Sequence, residues 1–400
     1  MRRYGGQSAV RIKDITTAPL LVPYTRPYYW AQGIVNAACV VLVEVHTDNG
    51  IVGYGESIGS PSAQAIEAHL KLAARICIGR DPFSSAQLMA EAYQTLFQAF
   101  GTCSSPRYAG QVLSGLEMAL WDVKGKASGR PAHDLLGGAV REEVCYFGFA
   151  QGRDAAEVAG DAGRLAQEGF DVIYIKVGRG DALDLQTVAA VRAAIGPGKR
   201  LRIDPNEHWN PLHACRMIRA LEPFGVEVVE QPTHAESIAA LAQVRAKSPI
   251  SISADQSVFT PFDAYEICRQ QAADLIVIGP HETGGLLRLS KVAHIAEAAD
   301  INICLHGLYE TGITTCASNQ IAATIPNLDD ANQHMTRFLA WDIVKSPDLK
   351  PRNGRLPVLK GPGLGFEIDR SNVERAKSAY AESTKHGKQR SGGGVSRKRR

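Results

Sequence analysis

The hydrophobic pattern changes period along the chain. Apolar residues run almost unbroken from Ala38 to Val45, Asp48-Asn49-Gly50 interrupts, and Ile51-Val52-Gly53-Tyr54-Gly55 resumes. An Asn-Gly pair between two such runs predicts a hairpin. From Ser62 to Gly137 the apolar positions recur at helical spacing, as in Ala63–Leu70 and Leu113–Lys126. Strands followed by helices predict an α+β N-terminal domain over residues 1–138, closed by Leu135-Leu136-Gly137-Gly138.

Short apolar runs then return at even intervals. Val172–Ile175 ends at Lys176, Leu201–Ile203 at Asp204, Val226–Val229 at Glu230, Ile250–Ala254 at Asp255, Leu275–Ile278 at Gly279, and Ile301–Leu305 at His306. The end residues are separated by 28, 26, 25, 24 and 27 positions. About 25 residues accommodates one strand, one helix and two loops. A repeated unit of that length closes into a barrel whose strand ends share one rim. The predicted barrel covers residues 139–340. Asp204, Glu230 and Asp255 would meet on the rim, and three carboxylates from separate elements suit Mg²⁺ with room left for water and substrate. Lys176 and His306 beside them form a proton-transfer site.

Residues 341–370 are rich in Pro and Gly and are expected to pack back on the first domain. Residues 371–400 read as a polar tail ending in Gly, Ser, Lys and Arg, disordered beyond about 380.

Composition narrows the function. A hydrophobic fraction of 45% fits a globular chain. No apolar run reaches the roughly 18 residues of a membrane span, and the N-terminus lacks the apolar core of a signal peptide. The net charge of +3 owes much to Arg397, Lys398, Arg399 and Arg400, so the body is close to neutral and nucleic acid is not the expected partner. Eight scattered cysteines without CxxC spacing exclude a metal finger and predict buried free thiols in a cytoplasmic protein. Cys304 lies near the rim but reads first as a small core residue.

The motifs point to a family. Leu201-x-x-Asp204-x-Asn206 and Val229-Glu230-Gln231-Pro232 are joined by Ser114-Gly115-Leu116-Glu117-x-Ala119-Leu120-x-Asp122-x-x-Gly125-Lys126, Leu135-Leu136-Gly137-Gly138 and Gly284-Gly285-Leu286. Together, in this order, they resemble the enolase superfamily, in the branch of mandelate racemase and muconate lactonizing enzyme, over about residues 10 to 370. The resemblance implies an α/β fold, a (β/α)₇β modified TIM barrel under an α+β capping domain. It implies Mg²⁺ on Asp204, Glu230 and Asp255, a small-molecule carboxylate substrate, and a symmetric homo-oligomer. Lys176 would take the substrate α-proton at a lowered pKa, with a metal-stabilised enediolate as intermediate; this superfamily is itself a standing example of a lysine or histidine base working beside Mg²⁺. His306 would work from the opposite face. Tyr174, Asn206, Gln333, Tyr28 and Trp30 are the expected substrate-binding residues.

Three positions depart from the family pattern. Tyr174 stands where a first lysine is usual. Gly279 replaces the lysine or aspartate of the sixth strand end, leaving His281 or Glu282 to orient His306. Gln333 sits where a Glu is frequent. On the sequence, dehydration of an acid sugar is the leading expectation. The alternatives are racemisation or epimerisation, cycloisomerisation, or a catalytically impaired binding barrel.

Overall fold

The computed structural model describes residues 10–98 and 105–385. Cys103, the first residues and the basic tail beyond 385 lie outside the described residues. The N-terminal part begins with an antiparallel meander of β1 (Ile12–Trp30), β2 (Gly33–Thr47) and β3 (Val52–Ile58). Its long helix, Pro106–Ser128, crosses β3 at unusually close range. A Cβ on Gly55 would lie 2.0 Å from the Gly115 carbonyl oxygen, and one on Gly115 2.6 Å from the Glu56 carbonyl carbon, so backbone contact dictates glycine at both positions.

Strand β4 (Glu143–Cys145) pairs with Arg355–Pro357. Seven parallel strands follow: β5 (Gly148–Ala150), β6 (Val172–Lys176), β7 (Arg200–Asp204), β8 (Val226–Glu230), β9 (Ser251–Ala254), β10 (Leu275–Ile278) and β11 (Asn302–Leu305). An irregular eighth strand closes the barrel. The segment 327–333 bonds to β11 through Ile303, with Asp329 N–H donating to its carbonyl at 2.7 Å. On its other side Phe147 N–H donates to the Asn332 carbonyl at 3.0 Å, next to β5. With a helix after each of the seven strands, this is a (β/α)₇β modified TIM barrel with an α+β cap.

Side chains alternate along the strands as a barrel requires. Ile173, Ile175, Ile203, Val229, Ile252, Ile276 and Ile303 pack against the outer helices. Tyr174, Val228, Val277 and Cys304 pack in the cluster that fills the barrel interior with Phe147 and Phe149. Cys304 is thus a core thiol; burial pushes its pKa up, and its Sγ lies 3.2 Å from the Ala331 carbonyl.

Two buried acids tie the cap to the rest of the chain. Glu117 accepts Leu286 N–H at 2.8 Å and Leu287 N–H at 3.2 Å, capping the helix Leu286–Ala298. Asp122 accepts Tyr54 N–H and Leu364 N–H, both at 2.9 Å, and Lys126 Nζ at 2.6 Å. Contacts of this kind hold the 341–370 segment against the first helices. One expectation fails. Residues 370–385 are a helix, Arg370–Lys385, rather than the start of a loose tail. Val373, Ala376 and Tyr380 recur at helical spacing and are buried, Val373 and Ala376 in the cluster that continues into the barrel interior and Tyr380 in the core of the cap. Their signal is diluted by the charged residues between them.

Candidate active site

The rim residues arrive as the spacing implied. Lys176, Asp204 and Glu230 are the last residues of β6, β7 and β8, while Asp255, Gly279 and His306 directly follow β9, β10 and β11. The parallel register sets Lys176 opposite Asp204, where their side chains form an ion pair. A cavity of about 710 Å³ opens above them. Lys176, Asn206, His306 and Gln333 line it from the barrel, and Tyr28 and Trp30 from the cap.

Asp204 is the most heavily bonded of the three rim acids. Asn206 donates to it twice, from its backbone N–H to Oδ1 at 2.6 Å and from its side-chain amide to Oδ2 at 2.7 Å. Asn206 has φ 45°, a left-handed conformation that brings both donors back to the strand end. Asp255 is the opposite case. Both its carboxylate oxygens are buried and without a hydrogen bond; the nearest cationic atom is His306 Nδ1, 3.5 Å from Oδ1. Gln231 fixes the Asp255 backbone, its Oε1 accepting Asp255 N–H at 2.9 Å. Glu230, Asp255 and His306 can each offer a ligand atom within 4.8 Å of one another. Burial, with repulsion from Asp204 and Asp255, raises the Glu230 pKa. Burial likewise pushes Asp255 up to about 6, against the pull of His306. Clustered buried carboxylates and an unbonded pair of oxygens fit a hard divalent cation.

Tyr174 is not among the cavity-lining residues, contrary to its expected contact with substrate. It is 1% exposed, stacked on Phe147 at 4.5 Å between ring centres. Its hydroxyl lies 2.7 Å from Asp204 Oδ2 and 2.8 Å from Glu230 Oε1, and accepts from Lys176 Nζ at 3.0 Å. The phenol braces two acids from below. The Lys176 pKa also differs from expectation. Burial lowers it, but Asp204 and Glu230 outweigh burial and the net shift is upward.

His306 finds its partner in Glu282. Its Nδ1 lies 2.7 Å from Glu282 Oε1, and the second oxygen of Glu282 accepts Gly279 N–H at 2.9 Å. Gly279 leaves no room for a side chain: a Cβ there would sit 2.4 Å from the His306 carbonyl oxygen. The acid therefore comes from the short helix Pro280–Thr283, three residues later. Burial pulls the His306 pKa down, yet Asp255 and Glu282 carry it up to about 10. Burial opposes ionisation of Glu282, but the imidazolium brings it down to about 2. His281 is a structural group. It sits between Ser114 Oγ at 3.0 Å and Thr314 Oγ1 at 2.9 Å, and burial lowers its pKa to about 4. Glu56, buried near the end of β3, accepts the Thr311 and Thr314 N–H groups at 2.9 and 3.0 Å. It caps the helix Gly312–Ala322.

Several cavity residues had no signal in the sequence: Gln32, Ser60, Arg107 and Gln111 from the cap, Gln256 and Tyr309 from the barrel. Only Gln256, adjacent to Asp255, could have been placed from its neighbour.

This is the architecture and rim of an enolase-type barrel. The family described as "Enolase C-terminal domain-like" matches residues 157–372. The family described as "Mandelate racemase / muconate lactonizing enzyme, N-terminal domain" matches residues 13–137. The chain belongs to the mandelate racemase/muconate lactonizing enzyme family of the enolase superfamily and is an enzyme of that superfamily. Muconate cycloisomerase 1 of Rhodococcus opacus is 30% identical, over 91% of this chain and 97% of its own. The L-Ala-D/L-Glu epimerase of Bacillus subtilis is 30% identical, over 89% and 97%. Among solved structures, the dipeptide epimerase of Enterococcus faecalis complexed with Mg and the dipeptide L-Leu-L-Tyr has a TM-score of 0.82 at 27% identity, covering 89% of this chain and 99% of that one. The named relatives are isomerases, which favours the isomerase alternative over the expected dehydration of an acid sugar.

Proposed function

We propose that the protein is a Mg²⁺-dependent isomerase that removes and returns the α-proton of a small carboxylate, inverting that carbon. The observation that carries this reading is the placement of Lys176 and His306 on one cavity around the acids Asp204, Glu230 and Asp255. Asp204, Glu230 and Asp255 would hold the metal. Bound there, Mg²⁺ supplies positive charge that stabilises the charge left by the departing α-proton and offsets the carboxylates that now hold the Lys176 ammonium. Lys176 Nζ exchanges the proton on one face of the substrate. His306 serves the other, with Nδ1 engaged by Glu282 and Nε2 left for transfer. Tyr174 keeps Asp204 and Glu230 at fixed separation, and Tyr28 and Trp30 close the cavity from the cap.

Cycloisomerisation is the second reading, supported by the 30% identity to muconate cycloisomerase 1. The chain departs from that branch at Gly279. Incubation with Mg²⁺ in D₂O, followed by proton NMR and chiral analysis, separates the two. Inversion with one deuterium at the α-carbon supports two-face transfer. Ring closure or opening without inversion would replace it with cycloisomerisation. Absence of exchange across dipeptides, acyl amino acids and muconates would remove α-proton chemistry on these classes.

A further inference from the structure

Arg107 is the cation that the proposed chemistry does not use. It is the second residue of the helix Pro106–Ser128 and lines the cavity from the cap side. Lys176 is committed to Asp204, and His306 to Glu282 and Asp255. Arg107 has no ion pair among the described residues. Its guanidinium instead lies 4.5 Å from the centre of the Phe259 ring, on the loop that follows Asp255. A cation over an aromatic face is held by the ring while its N–H groups can still donate.

Asp255 and Glu282 lie within electrostatic reach of Arg107, although neither forms an ion pair with it, and Glu207 lines the same cavity. Gln111 stands one helical turn on, and Ser60 and Gln32 line the same cavity from the meander. Gln256, 7% exposed, also lines the cavity, and its Oε1 is buried without a hydrogen-bond partner. Trp30 Nε1, on the cap side, is likewise buried and unpaired. Buried polar groups ordinarily find partners. An unpaired guanidinium on the wall of this cavity describes a receptor for a ligand with a matching polar end. An anionic group is the partner a guanidinium fork accepts bidentately.

We propose that Arg107 is a specificity-determining residue that receives a second anionic group on the substrate, so that the enzyme acts on carboxylates carrying a further carboxylate or equivalent anion away from the reacting carbon. This rests on the carboxylate-isomerase reading above, which leaves the first carboxylate at the acidic rim.

The test uses matched pairs in which only the second charge differs, with the Mg²⁺-loaded full chain. For turnover the pairs are L-Ala-L-Glu with L-Ala-L-Gln, and cis,cis-muconate with its monomethyl ester. For binding, read by calorimetry without turnover, they are the dicarboxylates from succinate to suberate with their monoamides. The dianionic member is expected to be favoured about 10- to 100-fold, the worth of a charged hydrogen bond. In Arg107→Gln that ratio should fall close to unity, and Arg107→Lys should restore part of it. Binding that discriminates through Arg107 with no turnover would uphold the anion site and count against the isomerase reading. Equal affinity for both members in the wild-type protein, an unchanged ratio in Arg107→Gln, or no binding of any probe would each overturn the proposal.

Discussion

Glu282→Gln tests whether His306 acts from the second face. The substitution keeps volume and removes one charge from a buried contact of 2.7 Å. Both oxygens of Glu282 are acceptors, one toward His306 Nδ1 and one toward Gly279 N–H at 2.9 Å. A glutamine amide has one acceptor oxygen, so one of these two donors must face an NH₂ group. Either the imidazole loses its orienting acceptor or a buried N–H is orphaned. Removing a charge-assisted hydrogen bond costs about 1.5–3 kcal/mol. Part of the upward pull on His306 goes too, leaving Asp255 at 3.5 Å as the remaining acid beside Nδ1. The imidazolium population then declines at lower pH than in the wild type. General acid–base transfer contributes about 10²–10⁴-fold, and a misoriented, less protonated ring should forfeit about 100-fold of it. The expected result is a split. Deuterium exchange at the Lys176 face persists, inversion drops about 100-fold, and the limb of the pH profile requiring protonated His306 moves to lower pH. Exchange is followed by NMR and inversion by polarimetry on the same sample. Equal losses in both, or inversion at wild-type rate, would refute the assignment of Glu282 as the positioning residue of a two-face site.

Three further outcomes follow from the same geometry. Lys176→Met should abolish exchange on its face, because Tyr174 offers no second amine; near wild-type exchange by NMR would mean another base. Glu230→Gln should eliminate the rise in Tm produced by Mg²⁺ in the wild-type protein, as well as EDTA-sensitive activity; an undiminished Mg²⁺-dependent rise would exclude Glu230 as a ligand. Stability should fall on acidification from pH 6.5 toward 4, because burial lowers the folded-state pKa of both His281 and His334 to about 4. The unfolded chain binds the additional protons in that window, so each histidine costs on the order of 2 kcal/mol at pH 5. Urea melts of His281→Gln should show a shallower acid limb, and an unchanged limb would mean that His281 is already charged in the fold.

What the sequence revealed and what it concealed divide along a physical line. A strand end is a local property: an apolar run fixes the strand, and the next residue falls on the rim. Lys176, Asp204, Glu230, Asp255 and His306 were legible for that reason. The glycine and acid motifs were legible too, but as structure. Gly115 marks a backbone contact with β3, and Glu117 caps a helix that begins at Leu286, well over a hundred residues away. Residues whose roles depend on how elements meet gave less. Arg107 reaches the cavity because its helix packs against the short helix Pro280–Thr283 after β10, with its guanidinium over Phe259. Tyr174 looked like a substrate contact because a lysine is usual there. The ring is instead drawn into the aromatic stack with Phe147 and Phe149, which leaves its hydroxyl between Asp204 and Glu230. Gly279 shows how an apparent loss at one position is offset at another. The strand end has no space for an acid against the His306 carbonyl, yet the buried Gly279 N–H gives Glu282 a second anchor. The imidazole thus keeps a carboxylate partner, supplied by the following helical turn. A comparison position by position registers a missing residue, whereas the site requires only an oxygen at 2.7 Å from Nδ1, from whichever backbone position can deliver it.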